Sequence, residues 1–256
     1  MSSALIASLH LDSVLPALAL LAPHDAELRA AAAGRGPFGV FMRVRGLASR
    51  RRLAFSADGL IASGVSPERG DLRLWFPAPG QFVRTVEKRA SIVLPVGGWG
   101  RLGQAGRFSR AGARLDTLLR NPSADPTLFA FGSLAVGLAG AAVWLRLHPE
   151  GAARRAALGN GVVTFACPAL PEPLWIDLGA LTSGVGAAPR APIAELVFRD
   201  RDTLIAELEH RLDALAALGG GELRVRGHLL VAERLGLVLA QVGRLLNPSA
   251  QPFRHE

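Results

Sequence analysis

The sequence contains almost no cysteine, tyrosine, lysine or methionine. Its 256 residues include one cysteine, two methionines and no tyrosine, and all but one of the 29 basic residues are arginine. A lone cysteine, Cys167, cannot form a disulfide framework and indicates a reducing compartment, where we expect it to be a small buried apolar residue. Residues 1–22 are apolar but lack a basic leading segment and contain Asp12 and Pro16, so they predict an amphipathic helix rather than a secretory signal.

Common catalytic motifs are also missing. The chain has no G-x-S-x-G, H-E-x-x-H or G-x-x-x-x-G-K-[ST] sequence, and none of its six histidines has a second histidine three to five residues away. The segment from Gly98 to Gly103 matches G-x-G-x-x-G, but no strand ending in an acidic residue follows at the expected distance, so we do not expect a dinucleotide site. The sequence therefore predicts no enzyme activity, no cofactor and no metal.

Positive charge is concentrated in the first half of the chain. The formal net charge is +8 at pH 7, and residues 35–120 hold sixteen Lys or Arg against five Asp or Glu. Such an excess attracts membranes, nucleic acids or acidic partners. Arg50, Arg51 and Arg52 fall in a predicted loop, and we assign them to contact with an anionic membrane. A solvated charge run, or a compositional bias toward arginine, is the alternative.

Nucleic acid is not an expected partner of this basic region. Its Phe and Trp residues follow strand periods and do not alternate with basic residues in the way that base stacking needs.

A weak internal repeat runs through the chain at an offset of about 122 residues. Short segments recur in order: residues 59–65 as 179–185, residues 72–76 as 194–198, Gly39 as Gly161, and Gly97 and Gly98 as Gly219 and Gly220. In the second copy three glycines end a helix, so this alignment also predicts a helix end at Gly97 and Gly98. The repeat predicts two copies of one module, each with strands first and helices after.

In the first copy, alternating apolar residues predict strands, and a tight turn at Asp58 and Gly59 predicts a hairpin. The predicted strands cover residues 38–44, 53–55, 60–61 and 72–76. A short helix follows, with its first turn near Gln81.

In the second copy, capping residues and periodicity agree. A strand ends at Phe198, and Asp200 or Asp202 caps a helix that continues to Leu215, with leucines at spacings of four, four and three. A strand over residues 221–227 follows. The last helix carries an apolar stripe, formed by Val231, Leu235, Val238, Val242 and Leu245.

This order of elements resembles the sterol carrier protein 2 (SCP2) lipid-binding domain. The resemblance lies in the strand at residues 194–198, the helix after it, the Gly-x-Leu-x-Val-x-Gly strand and the C-terminal amphipathic helix, and it covers about residues 161–246. The repeat extends it to residues 38–120. In two places the chain departs from the family: His228 stands where Asn or Asp is usual, and the first copy has the glycine motif that begins at Gly98 in place of the signature strand.

The resemblance implies an α+β fold with two SCP2-like modules, each a mainly antiparallel sheet covered by helices around a hydrophobic tunnel. The implied domains are a helical segment (residues 1–35), the first repeat (36–122), an apolar connector helix (123–158), the second repeat (159–247) and a tail (248–256). It implies a lipid-binding and lipid-transport protein that does no chemistry, since the family shares no catalytic residues. The ligand, a sterol, fatty acyl chain, phospholipid or prenyl-quinone, is left open.

The connector holds the longest uncharged stretch of the chain. Residues 126–145 are long enough to span a bilayer, but three Gly and five Ala dilute their hydrophobicity. A single span between two like modules would place them on opposite sides of the membrane. We therefore expect a buried helix, with a transmembrane or re-entrant helix as the alternative, in a cytoplasmic protein that contacts the inner face of a membrane peripherally.

Candidate tunnel-lining residues come from three predicted helices, and they are equally consistent with plain core. They are Phe131, Leu134 and Leu138 of the connector, Leu208, Leu212 and Leu215 of the second-copy helix, and Val238 and Val242 of the last helix.

Two other functions stay open. One is a scaffold or accessory module for lipid-modifying enzymes, in which the pocket has closed. The other is an enzyme with a repurposed cavity, for which the titratable candidates are Glu195, Asp200, His210, Asp213 and His228. The oligomeric state is open as well.

Overall fold

The structure, a computed structural model, describes residues 2–247, and the predicted tail at residues 248–256 lies outside the described part. The chain forms two compact units: the first ends at Val136 and the second begins at Gly137. Each unit contains one five-stranded mixed sheet together with helices. The chain is therefore an α+β protein, as the sequence predicts.

The first unit begins with helices and continues into its sheet. Its elements are α1 (Ser3–Leu9), a π-helical turn (His10–Val14), α2 (Ala17–Leu21), α3 (Ala26–Ala32), β1 (Phe38–Val44), β2 (Arg50–Phe55), β3 (Ile61–Gly64), β4 (Leu72–Phe76), α4 (Pro79–Val86), β5 (Leu94–Gly97), a 3-10 turn (Trp99–Gln104), α5 (Ala105–Arg120) and the first part of α6 (Pro126–Leu147). The strand order is β3-β2-β1-β4-β5. Only β1 and β4 pair in parallel.

The second unit contains the end of α6 and a sheet with helices around it. Its elements are α7 (Gly151–Leu158), β6 (Val162–Ala166), β7 (Leu174–Asp177), β8 (Thr182–Val185), β9 (Pro192–Phe198), α8 (Arg201–Leu208), α9 (Ala214–Gly219), β10 (Leu223–Gly227) and α10 (Leu229–Leu246). The strand order is β8-β7-β6-β9-β10, and only β6 and β9 pair in parallel. The two sheets therefore share one strand order and one position for the parallel pair.

The strands of the first sheet follow from alternation in the sequence. Phe38, Val40 and Met42 of β1 are buried on one face, as predicted. The predicted hairpin connects β2 and β3 and requires glycine at position 59, where φ is +86°. A Cβ at Gly59 would lie 2.0 Å from the carbonyl oxygen of Arg29, so no residue with a side chain fits at this position.

Helices α4 and α8 end in the same way. Each is followed by a residue with positive φ, Lys88 (59°) and His210 (56°), at the offset found in the sequence. In each unit the next amide donates to the carbonyl oxygen five residues back, at 2.8 Å after α4 and 2.7 Å after α8. This arrangement satisfies carbonyl groups that the helix end leaves free.

The predicted helix from Asp202 to Leu215 is wrong, because the chain leaves the helix at His210. A new helix, α9, begins after Asp213, whose carboxylate accepts hydrogen bonds from the amides of Leu215 and Ala216. The leucine spacing of four, four and three continues across this break. Side-chain periodicity does not detect a left-handed residue, so the two short helices read as one.

The aspartate that caps α8 is Asp200. Its carboxylate accepts the amide of Thr203 at 2.8 Å and the hydroxyl of the same residue at 2.7 Å. The other sequence candidate, Asp202, lies in the first turn and pairs with Arg201 on the surface.

The predicted match of Gly97 and Gly98 with Gly219 and Gly220 is wrong. Gly97 closes strand β5, and a Cβ at Gly98 would lie 2.2 Å from the carbonyl oxygen of Asp71. In the second unit Gly227 makes the same contact, since a Cβ there would lie 2.2 Å from the carbonyl oxygen of Ile193. Ile193 is the counterpart of Asp71 at the offset of the repeat. Strand β5 therefore occupies the sheet position of the signature strand β10, and α9 is the extra element that shifts the alignment.

Two helical stretches are long and apolar enough, by length and composition alone, to cross a membrane. Ser3–Leu21 covers the predicted N-terminal helix, with a π-helical turn before Pro16, and half of its apolar window is buried. Pro126–Leu147 is the predicted connector, and 78% of its window is buried. Every residue between Leu128 and Leu145 is buried or half-buried.

Candidate functional site

Helix α10 covers part of the second sheet with its apolar stripe. Within the stripe, Val231 is half-buried and the other four predicted residues are buried. The helix contacts β9 and β10, where Phe198 and Leu223 are buried. Val238 and Val242 of this layer are among the predicted tunnel-lining residues.

Five of the eight predicted lining residues are buried helix residues. Phe131 and Leu134 lie on α6 in the first unit, and Leu138 lies on the same helix in the second unit. Val238 and Val242 lie on α10. A Cβ at Gly137 would meet Leu239 Cδ2 at 3.4 Å, so in the second unit α6 passes close to α10.

The other three predicted lining residues are not buried. Leu208 at the end of α8 and Leu212 in the loop after it are half-buried. Leu215 is the second residue of α9 and is 82% exposed. The helix break at His210 separates these leucines, so they do not form the single inward row that the sequence predicts.

Exposed apolar residues gather in equivalent segments of the two units. The first apolar edge lies between the end of α4 and the 3-10 turn and consists of Val86, Ile92, Leu94, Val96, Trp99 and Leu102. The second apolar edge lies between α9 and the first half of α10 and consists of Leu215, Leu229, Leu230 and Leu237. Sequence reasoning missed both sets, although the unbroken apolar run that ends at Val96 was a signal for the first.

Arg50, Arg51 and Arg52 lie in strand β2 and not in a loop. Arg51 Nη2 pairs with Asp12 Oδ1 at 2.7 Å, and its Nε donates to the carbonyl oxygen of Leu11 at 2.9 Å. Arg52 pairs with Asp71 at 2.8 Å and with Glu68 at 2.7 Å, and the contact with Asp71 raises the pKa of its guanidinium.

Of the three arginines, Arg50 alone is exposed. Arg51 and Arg52 form ion pairs within the first unit, and the predicted contact of the three with a membrane stays a prediction.

A shallow groove lies beside Arg50 in the first unit. It has a volume of about 420 Å³ and is lined by the loops on either side of β2 and β3, together with Asp12: Asp12, Ala48, Ser49, Arg50, Val65, Ser66 and Pro67. None of the predicted tunnel-lining residues borders it. Asp12, Ser49, Arg50 and Ser66 make its wall polar, unlike the lining that an alkyl chain needs.

Three of the five titratable residues considered for an enzyme make local structural contacts. Asp200 and Asp213 cap α8 and α9, and the bond from the Thr203 amide lowers the pKa of Asp200 to about 2. Glu195 pairs with Arg226 at 3.2 Å. His228 occupies the N-cap position of α10, but its side chain makes no capping hydrogen bond. Within residues 2–247, no group of three or more His, Cys, Asp or Glu side chains could hold a metal ion.

Comparison with known proteins finds likenesses among solved structures. No family model matches the chain, and no curated protein matches it. Sterol carrier protein 2 like 2 from Aedes aegypti is 18% identical with a TM-score of 0.32, and the match covers 41% of this chain and 95% of that one. Sterol carrier protein 2 from Yarrowia lipolytica, in its apo form, is 19% identical at a TM-score of 0.32, over 46% of this chain and 92% of that one.

A ubiquinone synthesis protein described as UbiJ-SCP2 is 17% identical, also at 0.32, over 39% of this chain and 81% of that one. Each of these likenesses covers less than half of the chain.

Proposed function

We propose that the protein binds and carries a hydrophobic ligand and does no chemistry on it. The observation that carries this proposal is that large exposed apolar side chains lie on or beside the equivalent sheet strands β5 and β10, one set in each unit. Large apolar side chains that stay exposed together mark sites for lipid, ligand or partner binding. In the second unit this set adjoins the apolar layer under α10, so a ligand could pass from one to the other.

The binding would be driven by removal of alkyl groups from water. Each methylene that leaves water contributes about 0.8 kcal/mol, so a long chain binds without specific polar contacts. A sterol, a fatty acyl chain, a phospholipid and a prenyl-quinone all meet this requirement. The protein would work in the cytoplasm, with peripheral contact at the inner face of a membrane.

We also propose that the chain is a tandem duplication of one SCP2-like module. The shared strand order supports it, and so do the matching exits of α4 and α8. A further support comes from two glycines one offset apart: a Cβ at Gly39 would clash with the side chain of Asp71, and one at Gly161 with the side chain of Ile193. Residue pairs that keep their contacts at a constant offset are expected of repeated modules.

A scaffold for lipid-modifying enzymes is the second candidate function. The observation in its favour is that the inner layer of the second unit is filled, with Leu204, Leu235 and Val242 completely buried. A ligand would have to displace such packing, which is dense in protein interiors. A protein of this kind would hold no ligand and would keep its apolar edges for partners.

Ligand binding can be tested on the full chain purified without added lipid. Native mass spectrometry with solvent extraction would detect a bound lipid, and titration with a fluorescent fatty acid would measure uptake. We expect a bound apolar molecule or saturable uptake. Absence of both after several preparations would refute the carrier function and favour the scaffold.

Paired variants would locate the entry. We expect Leu229→Gln with Leu230→Gln, in the second apolar edge, to weaken fatty acid uptake at least about tenfold, since the apolar contact of two leucines is lost. Leu60→Gln with Val65→Gln is the matched control, because both residues are exposed but lie outside the edges. Equal uptake by the two double variants would contradict entry at this edge.

A further inference from the structure

The outer face of the first sheet carries a row of side chains that crosses four strands. Arg50 of β2 lies directly opposite Arg43 of β1, and Arg43 lies opposite Trp75 of β4. Trp75 lies opposite Leu94 of β5, which belongs to the first apolar edge. One half of the row is therefore basic and the other half apolar.

The next row on this face adds more positive charge. Phe41 of β1 lies between Arg52 and Arg73, its direct neighbours on β2 and β4, and it is buried although Arg43 and Arg73 on the same face are exposed. The alkyl parts of arginine side chains can cover an aromatic ring in this way while their charged groups remain in water.

Most of this charge is not neutralised. Arg52 is paired, but among residues 2–247 no hydrogen-bond or ion-pair partner is found for the side chains of Arg43, Arg50 and Arg73. Like charges directly opposite each other on neighbouring strands destabilise a sheet, and Arg43 faces Arg50 in this position. An anionic surface that lies against the face would remove this cost.

The second sheet lacks this arrangement. The row that corresponds to Arg52, Phe41 and Arg73 contains Trp175, Thr164, Glu195 and Arg226, and the last two form an ion pair at 3.2 Å. In the row that corresponds to Arg43 and Trp75, Ala166 lies opposite Val197, which lies opposite Arg224. The exposed basic face is therefore a property of the first unit and not of the shared strand order.

We propose that the outer face of the first sheet docks on anionic lipid bilayers. Its three unpaired arginines would lie at lipid phosphates, and the adjoining first apolar edge would enter the interfacial region, where Trp is favoured. Apolar side chains beside the arginines favour a bilayer over nucleic acid, which offers no apolar layer for Leu94 to enter. Only the purpose of docking, delivery of ligand, rests on the proposed function.

Sedimentation with vesicles tests the proposal on the full chain. The vesicles contain roughly one part phosphatidylglycerol to three parts phosphatidylcholine, with pure phosphatidylcholine for comparison. We expect Arg43→Glu/Arg50→Glu/Arg73→Glu to bind the anionic vesicles at least about 100-fold more weakly than wild type, at about fivefold for each arginine. Wild-type binding should also weaken as the Debye length falls from about 10 Å at 0.1 M salt to about 3 Å at 1 M.

The matched control changes the same net charge elsewhere. Arg35, Arg110 and Arg224 are exposed, and no ion-pair partner is found for them among the described residues. Their triple change to Glu should weaken binding no more than about tenfold, through net charge alone. Equal weakening by both triple variants, or no binding of wild type to anionic vesicles, would overturn the proposal.

Further variants make the test independent of folding and of ligand. If the Glu variant unfolds, Arg43→Gln/Arg50→Gln/Arg73→Gln replaces it and should still lose most of the salt-dependent binding. Leu94→Gln with Val96→Gln should reduce the binding that remains at high salt. Ligand occupancy by native mass spectrometry should stay unchanged in the arginine variants, so its absence from wild type would count against the carrier function and not against docking. Binding of RNA, abolished by the same arginine changes and without vesicle binding, would assign the face to nucleic acid and overturn the proposal.

Discussion

Arg107 on α5 is a buried arginine held by carbonyl oxygens, with no carboxylate among its described contacts. It is 4% exposed, and its guanidinium donates to the carbonyl oxygens of Ala32 and Gly36 at 2.7 Å and of Ser56 at 2.5 Å. Desolvation lowers its pKa, and nearby Arg110 lowers it further, but an arginine stays charged at neutral pH. Ala32 ends α3, whose negative dipole end favours a cation there. Arg107 therefore connects the end of α3, the turn before β1 and the hairpin after β2.

We expect Arg107→Met to destabilise the protein by about 3 kcal/mol, because buried carbonyl groups lose their donors. Urea denaturation measures the change in the free energy of unfolding. Arg110→Met, at an exposed position on the same helix, is the control and should cost less than about 0.5 kcal/mol. Equal denaturation midpoints for the two variants would contradict a structural role for Arg107.

His10 makes stability depend on pH. Burial, with a smaller contribution from Arg120, lowers the pKa of His10 from 6.5 to about 4, and its Nδ1 has no hydrogen-bond partner among the described residues. Between these values the unfolded chain binds more protons than the folded one, so stability is present above pH 6.5 and is lost as the pH falls toward 4.

We therefore expect wild type to lose about 2 kcal/mol more than His10→Leu between pH 7 and pH 4.5. Urea denaturation of both proteins at the two pH values measures the difference, and other titrating groups contribute equally to both. Parallel losses would mean that His10 is accessible to protons in the folded protein.

At the scale of elements, the helix that follows the fourth strand differs in its N-cap between the two units. Asp200 caps α8, whereas the equivalent residue of α4 is Ala78, which has the same extended backbone (φ −152°, against −149° at Asp200) and no side-chain oxygen. Ala78 is exposed, so a larger side chain fits there.

Ala78→Asp should stabilise the protein by about 1 kcal/mol, since its carboxylate would accept the amide of Gln81, which now donates to the carbonyl oxygen of Ala78 at 3.1 Å. Asp200→Ala should cost about the same, and Asp202→Ala, which removes no cap, should cost less than about 0.5 kcal/mol. Thermal or urea denaturation gives all three values. A destabilising Ala78→Asp would show that the start of α4 does not have the geometry of α8.

At the scale of the whole molecule, two apolar helical stretches raise the question of membrane insertion. The longer one, Pro126–Leu147, has most of its apolar window buried in the protein. Burial of this kind satisfies an apolar helix without lipid.

We expect the full chain to be recovered in the soluble fraction without detergent, and any membrane-bound part to be released by high salt. Fractionation with salt and carbonate washes measures this. Recovery only in the carbonate-resistant pellet would mean that one of the two stretches spans the bilayer, and docking through the arginine face would then be secondary.

Much of the architecture was determined by the sequence alone. Alternation located β1, β4 and β10 because a strand places successive side chains on opposite faces. Apolar spacing located α10 because the helix presents one stripe to the sheet. The two-module arrangement followed from the repeat, and an α+β fold followed from the order of its elements.

Three features were decided only by tertiary structure. The helix exit at His210 depends on a single backbone angle, which leaves the leucine spacing unchanged. The match of Gly98 with Gly227 depends on which strand each glycine touches, and the inserted α9 hides it from alignment. The different roles of Arg50, Arg51 and Arg52 depend on acidic partners that are distant in sequence, so three identical neighbours could not be distinguished until the fold brought Asp12 and Asp71 beside two of them.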